Sequence, residues 1–212
     1  MFCVFAKWLH FKYNGIVSNL INYPNLKKPR KNNKEINFAN RGMSLENDLN
    51  VTNEYYRSIG KAIIHKKPLP LQIVAVDYRK RSAAKITEAY FKTPSTTDYN
   101  GVYRGYYLDY DAKETSLLTA FPLGQIHQHQ LQHLQAVIQQ KGIAFLIIRF
   151  SKSNQDYLLL AKDLLNFIAN NERKSLAKSW IEENAYLIKA GLNPRLSYLE
   201  IIDQIIEEEK YV

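Results

Sequence analysis

The run Ser95-Thr-Thr-Asp-Tyr-Asn-Gly-Val-Tyr-Arg-Gly-Tyr-Tyr-Leu-Asp-Tyr-Asp-Ala-Lys-Glu-Thr115 decides how the rest of the chain is read. It gathers the carboxylates of Asp98, Asp109 and Asp111 and the amine of Lys113. A strand sends successive side chains to opposite faces. Across residues 107–113, Leu108, Tyr110 and Ala112 therefore share one side, and Asp109, Asp111 and Lys113 share the other. One face suits a core and the other suits chemistry. Upstream, Asn100-Gly101 and Gly105 are turn signals, and they predict that the segment folds back as a hairpin or bent strand pair, carrying Asp98 towards Asp111. Converging carboxylates repel unless a divalent cation sits between them, and an oxygen-rich set of this kind suits Mg²⁺, whose shell is completed by water and substrate phosphates. A lysine beside such a cation is a charge partner for a phosphate.

The chain has 212 residues, the size of one domain with a proper core. Its hydrophobic content of 46% excludes wholesale disorder, and fifteen tyrosines make it rich in aromatic rings. The formal net charge of +9 points to a polyanionic partner. The charge is unevenly placed. Lys7, Lys12, Lys27, Lys28, Arg30, Lys31, Lys34 and Arg41 face only Glu35 in the first 41 residues, whereas acids outnumber bases over residues 182–210. Cys3 is the only cysteine, which excludes an intrachain disulfide and cysteine-based metal sites and fits a reducing, cytoplasmic compartment. The apolar start of the chain is broken by Lys7, His10 and Lys12 well short of a membrane-spanning length, so no membrane partner is expected.

Residues 1–40 read as a basic, flexible arm or extension, and 41–212 as the folded domain. Residues 44–59 carry a helical stripe of Leu45, Leu49, Tyr56 and Ile59, with Ser44 as N-cap and Gly60 as stop. Glu46, in the first turn, complements the helix dipole. Strands are predicted over 61–65 and 71–78, parted by Lys66-Lys-Pro-Leu-Pro70, whose prolines bar that piece from a central strand. Residues 79–92 are basic again. A helix is predicted over 125–141 from Ile126, Leu131, Leu134 and Ile138, a strand buried on both faces over 143–150 with 157–160 beside it, and helices over 162–169 and 196–209. His129 and His133, four apart on a helix, form a pair that zinc can use, but no third ligand follows from spacing and a structural or phosphate-facing role is the preferred reading. The sequence contains no P-loop, no dinucleotide-binding glycine motif and no nucleophile-elbow serine.

Asp98 followed by Asp111-Ala-Lys113 resembles the active-site signature of restriction-endonuclease-like nucleases, an acid followed at a distance by acid-x-Lys. The flanking motifs narrow the likeness. Asn40-Arg-Gly-Met-Ser-Leu-Glu46, His65-Lys-Lys-Pro68, Lys80-Arg-Ser-Ala-Ala84, Ala89-Tyr-Phe-Lys92, Ser95-Thr-Thr-Asp-Tyr-Asn-Gly101, Ala112-Lys-Glu-Thr115 and Phe121-Pro-Leu123 through His127-x-His-Gln130 resemble, in order, the RecU family of Holliday junction resolvases. The likeness runs from about Tyr23 to the C-terminus and leaves out the first twenty or so residues.

The resemblance implies an α/β fold with a restriction-endonuclease-like core, in which a mixed central sheet is flanked by helices, and a basic stalk within residues 61–92 that enters the junction. It implies an endodeoxyribonuclease of recombination and repair, a homodimer acting on branched four-way DNA with paired symmetric nicks, with recombination proteins as further partners. Asp98, Asp111 and Lys113 take the catalytic positions. Thr96, Asp98, Asp111 and Gln130 take the metal positions, for one or two Mg²⁺ ions with Mn²⁺ as substitute. Arg41, Lys66, Lys67, Arg79, Lys80, Arg81 and Lys85 are the expected nucleic-acid contacts. Position 111 is Asp where this family usually has Glu, which shortens the reach by one methylene. Two other functions share the same composition: a junction-binding module without catalysis, and a nuclease of this fold acting on ordinary duplex.

Overall fold

A computed structural model of the chain describes residues 44–68, 70–77, 85–91 and 96–208. The arm over 1–40 and the expected DNA contacts Arg41, Arg79, Lys80 and Arg81 lie outside the described residues.

Helix α1 (Leu45–Ser58) starts where Ser44 accepts a hydrogen bond from the Asn47 amide through Oγ at 3.4 Å, and Glu46 and Asp48 place negative charge at its positive end. Its buried stripe of Leu45, Leu49, Thr52, Asn53 and Tyr56 follows the helical repeat. Then come β1 (Ile63–Lys66), β2 (Leu71–Asp77), β3 (Lys85–Phe91), β4 (Tyr99–Tyr103) and β5 (Tyr106–Thr115). A short β6 (Ala120–Pro122) and a 3-10 turn (Leu123–Gln125) lead into α2 (Gln128–Gln139). The remainder is β7 (Ile143–Phe150), β8 (Gln155–Leu160), α3 (Ala161–Asn170), β9 (Ser175–Ala177), α4 (Lys178–Asn184), β10 (Tyr186–Leu187) and α5 (Tyr198–Glu207).

Six strands form one mixed sheet in the order β1-β4-β5-β7-β8-β10. Among the described residues only β5 and β7 pair in parallel, Asp111 opposite Leu146, with α2 as the crossover between them. β7 is buried at all eight positions, as its unbroken apolar run predicts for a strand covered on both faces. The two faces are covered by different helices. Leu108, Tyr110, Phe145 and Ile147 pack with residues of α1 and α5, while Leu146, Ile148 and Phe150 pack with residues of α2 and α3. Helix α5 owes its place to Ile201, Ile202, Ile205 and Ile206, all buried.

β4 and β5 form a hairpin, but its turn is not where Asn100-Gly101 suggests. Those two residues pair within the ladder, and the chain reverses at Arg104 and Gly105, both at positive φ (52° and 85°), as a two-residue loop of the hairpin type demands. Gly101 serves another purpose: a Cβ there would lie 2.1 Å from the Ile63 carbonyl oxygen and 2.6 Å from Ile64 Cα, so only glycine lets β1 approach. The predicted helix over 125–141 is likewise shorter, beginning at Gln128 because residues 123–125 close as a 3-10 turn.

Among the described residues β2 and β3 pair only with each other, antiparallel, as a two-stranded ribbon with a break in register around Val74. Leu71, Ile73, Val74, Ile86 and Tyr90 are exposed on it.

Candidate active site

The site grows out of the alternation along β5. Leu108 and Tyr110 point into the core beneath α1 and α5. Asp109 and Asp111 emerge on the opposite face, beneath α2, and both are fully buried. Asp98 stands just before β4 begins, and its Oδ2 accepts a hydrogen bond from the Ala112 amide at 3.2 Å. The hairpin thus brings Asp98 to the peptide that follows Asp111.

Around Asp111 the donors are few. Gln130 Nε2, from the first turn of α2, donates to Oδ1 at 3.3 Å, and Lys113 Nζ lies 2.5 Å from Oδ2. Among the described residues Oδ2 is a buried carboxylate oxygen whose one close polar neighbour is that ammonium, outside hydrogen-bond geometry. Burial first, and then the hydrogen bond and negative charge of Asp98, push the Asp111 carboxyl up to about 7, against the pull of Lys113. The Lys113 ammonium alone does not offset burial and the charge of Asp98, so a further cation would favour the ionised form. Among the described residues no three His, Cys, Asp or Glu side chains assemble a metal cage. The oxygen donors gathered here are instead the carboxylates of Asp98 and Asp111, which suit an ion that completes its shell with water and substrate oxygens. The orphaned Oδ2 of Asp111 fits such an ion.

Gln130 does two things. Its Oε1 accepts from the His127 amide at 3.1 Å, closing the N-terminus of α2 as part of a capping box, while its Nε2 faces Asp111. Thr96, the remaining expected metal position, accepts a hydrogen bond from Lys67 Nζ at 3.2 Å. Asp98, Asp111, Lys113 and Gln130 are thus brought together, with Thr96 on the adjoining loop.

The expected DNA contacts divide. Lys66 is exposed and pairs with Glu46 of α1, and Lys85 is exposed at the start of the ribbon. Lys67 is turned inward, its side chain 15% exposed and its ammonium 2.8 Å from Asp109 Oδ2. His133 Nε2 lies 3.1 Å from the same oxygen, so one of the two histidines read as a possible metal pair faces this carboxylate. Asp109 also receives hydrogen bonds from Thr97 Oγ1 and, at 2.8 Å, from the Tyr107 hydroxyl. The sequence places Asp109 on the same face as Asp111 but gives no sign of this ring of donors, because Lys67, Thr97 and His133 come from three distant segments.

A mixed sheet thus lies between helix layers, with Asp98, Asp111 and Lys113 gathered at its hairpin and on β5. The profile of the RecU family, described as Recombination protein U, matches residues 40–204. The sequence is 51% identical over 194 residues to Holliday junction resolvase RecU of Geobacillus kaustophilus, covering 87% of this chain and 97% of that protein. It is 48% identical over 190 residues to Holliday junction resolvase RecU of Streptococcus pneumoniae, covering 87% and 96%. The chain belongs to the RecU family. Among solved structures it is similar to Hjc, a Holliday junction resolvase from Archaeoglobus fulgidus, with a TM-score of 0.39 and 11% identity over 65% of this chain and 89% of that one.

Proposed function

We propose that this chain is a Holliday junction resolvase, a metal-dependent endodeoxyribonuclease that cuts four-way DNA junctions with paired symmetric nicks in recombination and repair. The observation that carries the metal dependence is Asp111 Oδ2, buried and without a hydrogen-bond donor next to Asp98 and Lys113. Mg²⁺, with Mn²⁺ as substitute and one or two ions per site, supplies a nucleophilic water at neutral pH and relief of charge on the scissile phosphate. Asp98 and Asp111 hold the ion, with Thr96 and Gln130 as further oxygen donors. Gln130 contributes through a bridging water, or through Oε1 once that atom gives up its cap on α2. Lys113 orients the attacking water and steadies the charge that builds on the phosphorus oxygens.

Lys66 and Lys85, exposed, supply phosphate contacts together with Arg41, Arg79, Lys80 and Arg81. A four-way junction has near two-fold symmetry and needs one cut on each of two strands of like polarity, so one site per chain calls for a two-fold homodimer. Recombination proteins are its further partners and the cytoplasm its compartment. Among the described residues no helix is long and apolar enough to cross a membrane.

Cleavage of a synthetic mobile junction by the wild type, Asp98→Ala and Lys113→Ala, with Mg²⁺, Mn²⁺ or chelator and with gel-shift binding alongside, tests this reading. Symmetric metal-dependent nicks that vanish in both variants while binding survives are expected, the loss for Lys113→Ala being about 10²–10³ in rate by analogy with removing one preorganised donor. Tight junction binding without any cut by the wild type would instead identify a non-catalytic junction-binding module. Equal cleavage of linear duplex would identify a general nuclease.

A further inference from the structure

Lys66 and Lys67 are neighbours in a basic motif, yet they face different surroundings. The Lys66 side chain is 45% exposed and the Lys67 side chain 15%. From the end of β1, Lys67 reaches three parts of the molecule at once. Its amide donates to the Asp98 carbonyl at 2.7 Å. Its ammonium donates to Thr96 Oγ1 at 3.2 Å and Thr97 Oγ1 at 2.5 Å. The same ammonium lies 2.8 Å from Asp109 Oδ2 on β5 and 3.4 Å from His133 Nε2 on α2. Asp109 is fully buried and takes further hydrogen bonds from Thr97 and Tyr107, so it is a fixed anchor with no room to follow a substrate.

We infer that Lys67 is a positioning residue: braced on Asp109, it fixes the 96–98 loop so that Thr96 and Asp98 meet Asp111 in metal-binding geometry, and it does not contact DNA. Asp109 and Asp111 stand two apart on one face of β5, so a loop tied to the first is held in register with the second. An ammonium already committed to a buried carboxylate and two hydroxyls has its donors spent, leaving nothing for a phosphate. Partners that orient a metal's ligands alter its affinity by about 10- to 100-fold when lost. The inference rests on the assignment of Thr96, Asp98 and Asp111 to the metal site and is independent of which DNA is cut.

The test uses the full chain in three variants. Lys67→Met removes the ammonium and keeps the stem. Lys67→Met with Asp109→Asn leaves no unpaired buried charge, which guards against simple unfolding. Thr97→Val removes that hydroxyl's bonds to Lys67 and Asp109, and keeps the ion pair and the contacts of Lys67 with Thr96 and Asp98. Mn²⁺ binding without DNA is measured by titration calorimetry, and junction binding is measured in Ca²⁺ across a salt series. The expected result is Mn²⁺ affinity lowered by about 10- to 100-fold in the Lys67 variants and by less in Thr97→Val, with junction affinity and its salt slope as in the wild type. A salt slope reduced by about one in Lys67→Met, with Mn²⁺ binding intact, would make Lys67 a phosphate contact and overturn the inference. Unchanged Mn²⁺ binding in all three variants, or no Mn²⁺ binding by the wild type, would overturn it as well. A wild type that binds Mn²⁺ but cuts no junction would sink the resolvase reading while the calorimetry still judges Lys67.

Discussion

Asp111→Asn should make the metal-free protein more stable, and only above acidic pH. The carboxyl is raised from 3.8 to about 7 in the fold, chiefly by burial and then by Asp98. Its neutral form is therefore favoured in the native state up to a pH of about 7. The unfolded chain ionises near the ordinary value and the folded chain resists, so stability falls as pH rises between the two values and is level beyond them. A tenfold change in proton affinity is worth about 1.4 kcal/mol, which puts the upper bound on the full effect at about 4 kcal/mol. The attraction of Lys113 is already contained in the raised value, and an isosteric amide can keep a hydrogen bond to Gln130, so a gain of about 2–4 kcal/mol at pH 8 is expected, fading to nothing near pH 4. The assay is urea unfolding in chelator at pH 4, 6 and 8, read by circular dichroism. A second arm adds Mg²⁺, which should stabilise the wild type by mass action and leave Asp111→Asn unmoved. The reasoning is refuted if Asp111→Asn is less stable than the wild type at pH 8, or if the difference between them does not depend on pH.

Three further substitutions test the frame around the site. Gly101→Ala sets a Cβ against the backbone of Ile63 and Ile64, which has no side chain to move aside, and should cost about 3 kcal/mol or more in denaturant unfolding; an unchanged midpoint would show that β1 shifts freely. Arg149→Met strips a buried guanidinium from Asp48, at 2.9 Å, and Asp156, at 2.7 Å, and should cost about 3–5 kcal/mol, with much of it regained when Asp156→Asn is added; the pair of unfolding curves decides. Asp111→Glu restores the acid usual in the family but adds a methylene at a fully buried position. It should keep junction cleavage to within about tenfold while changing the ratio of Mg²⁺- to Mn²⁺-supported rates, and a complete loss of cleavage would show that the pocket is built for the shorter side chain.

Much of the fold was open to sequence reading because its period is simple. The unbroken apolar run of β7 is buried throughout, and the alternation along β5 divides Leu108 and Tyr110 from Asp109 and Asp111, although both sets are buried; the stripe of α1 holds for Leu45, Leu49 and Tyr56, while Ile59 caps the helix and is exposed. What escaped depended on partners far along the chain. Asn100-Gly101 carries strong turn chemistry, yet the constraint on Gly101 is the approach of β1, which no local window contains. Lys66 and Lys67 look alike in sequence, and only the position of Asp109 beneath them sends one outward and the other in. Gln130 reads as a site residue, but its second task as the cap of α2 becomes visible only once the helix is seen to start at Gln128. The short β6, β9 and β10 and the seven-residue α4 are held by tertiary pairing and carry too few residues to show a period.

The two faces of β5 are energetically linked through its register. On the core side Tyr99 stacks on Tyr110 at 4.9 Å and Tyr110 on Phe145 at 4.7 Å, a ladder running straight across β4, β5 and β7 at paired positions. The Tyr110 hydroxyl accepts from Asn53 at 2.8 Å and lies 3.3 Å from the Tyr198 hydroxyl, so it is satisfied where it is buried. Each such aromatic pair contributes about 0.5–1.5 kcal/mol beyond its buried area. A slip of one residue would turn Tyr110 towards α2 and Asp109 and Asp111 into the α1–α5 core, losing the ladder and burying two acids without donors. The ladder therefore sets where Asp98 meets Asp111, and the cost of holding Asp111 in a buried, acid-rich pocket is offset by packing on the other side of the same strand. Because packing on the far face holds β5 in register, the raised proton affinity of the Asp111 carboxyl should be measurable in the metal-free protein.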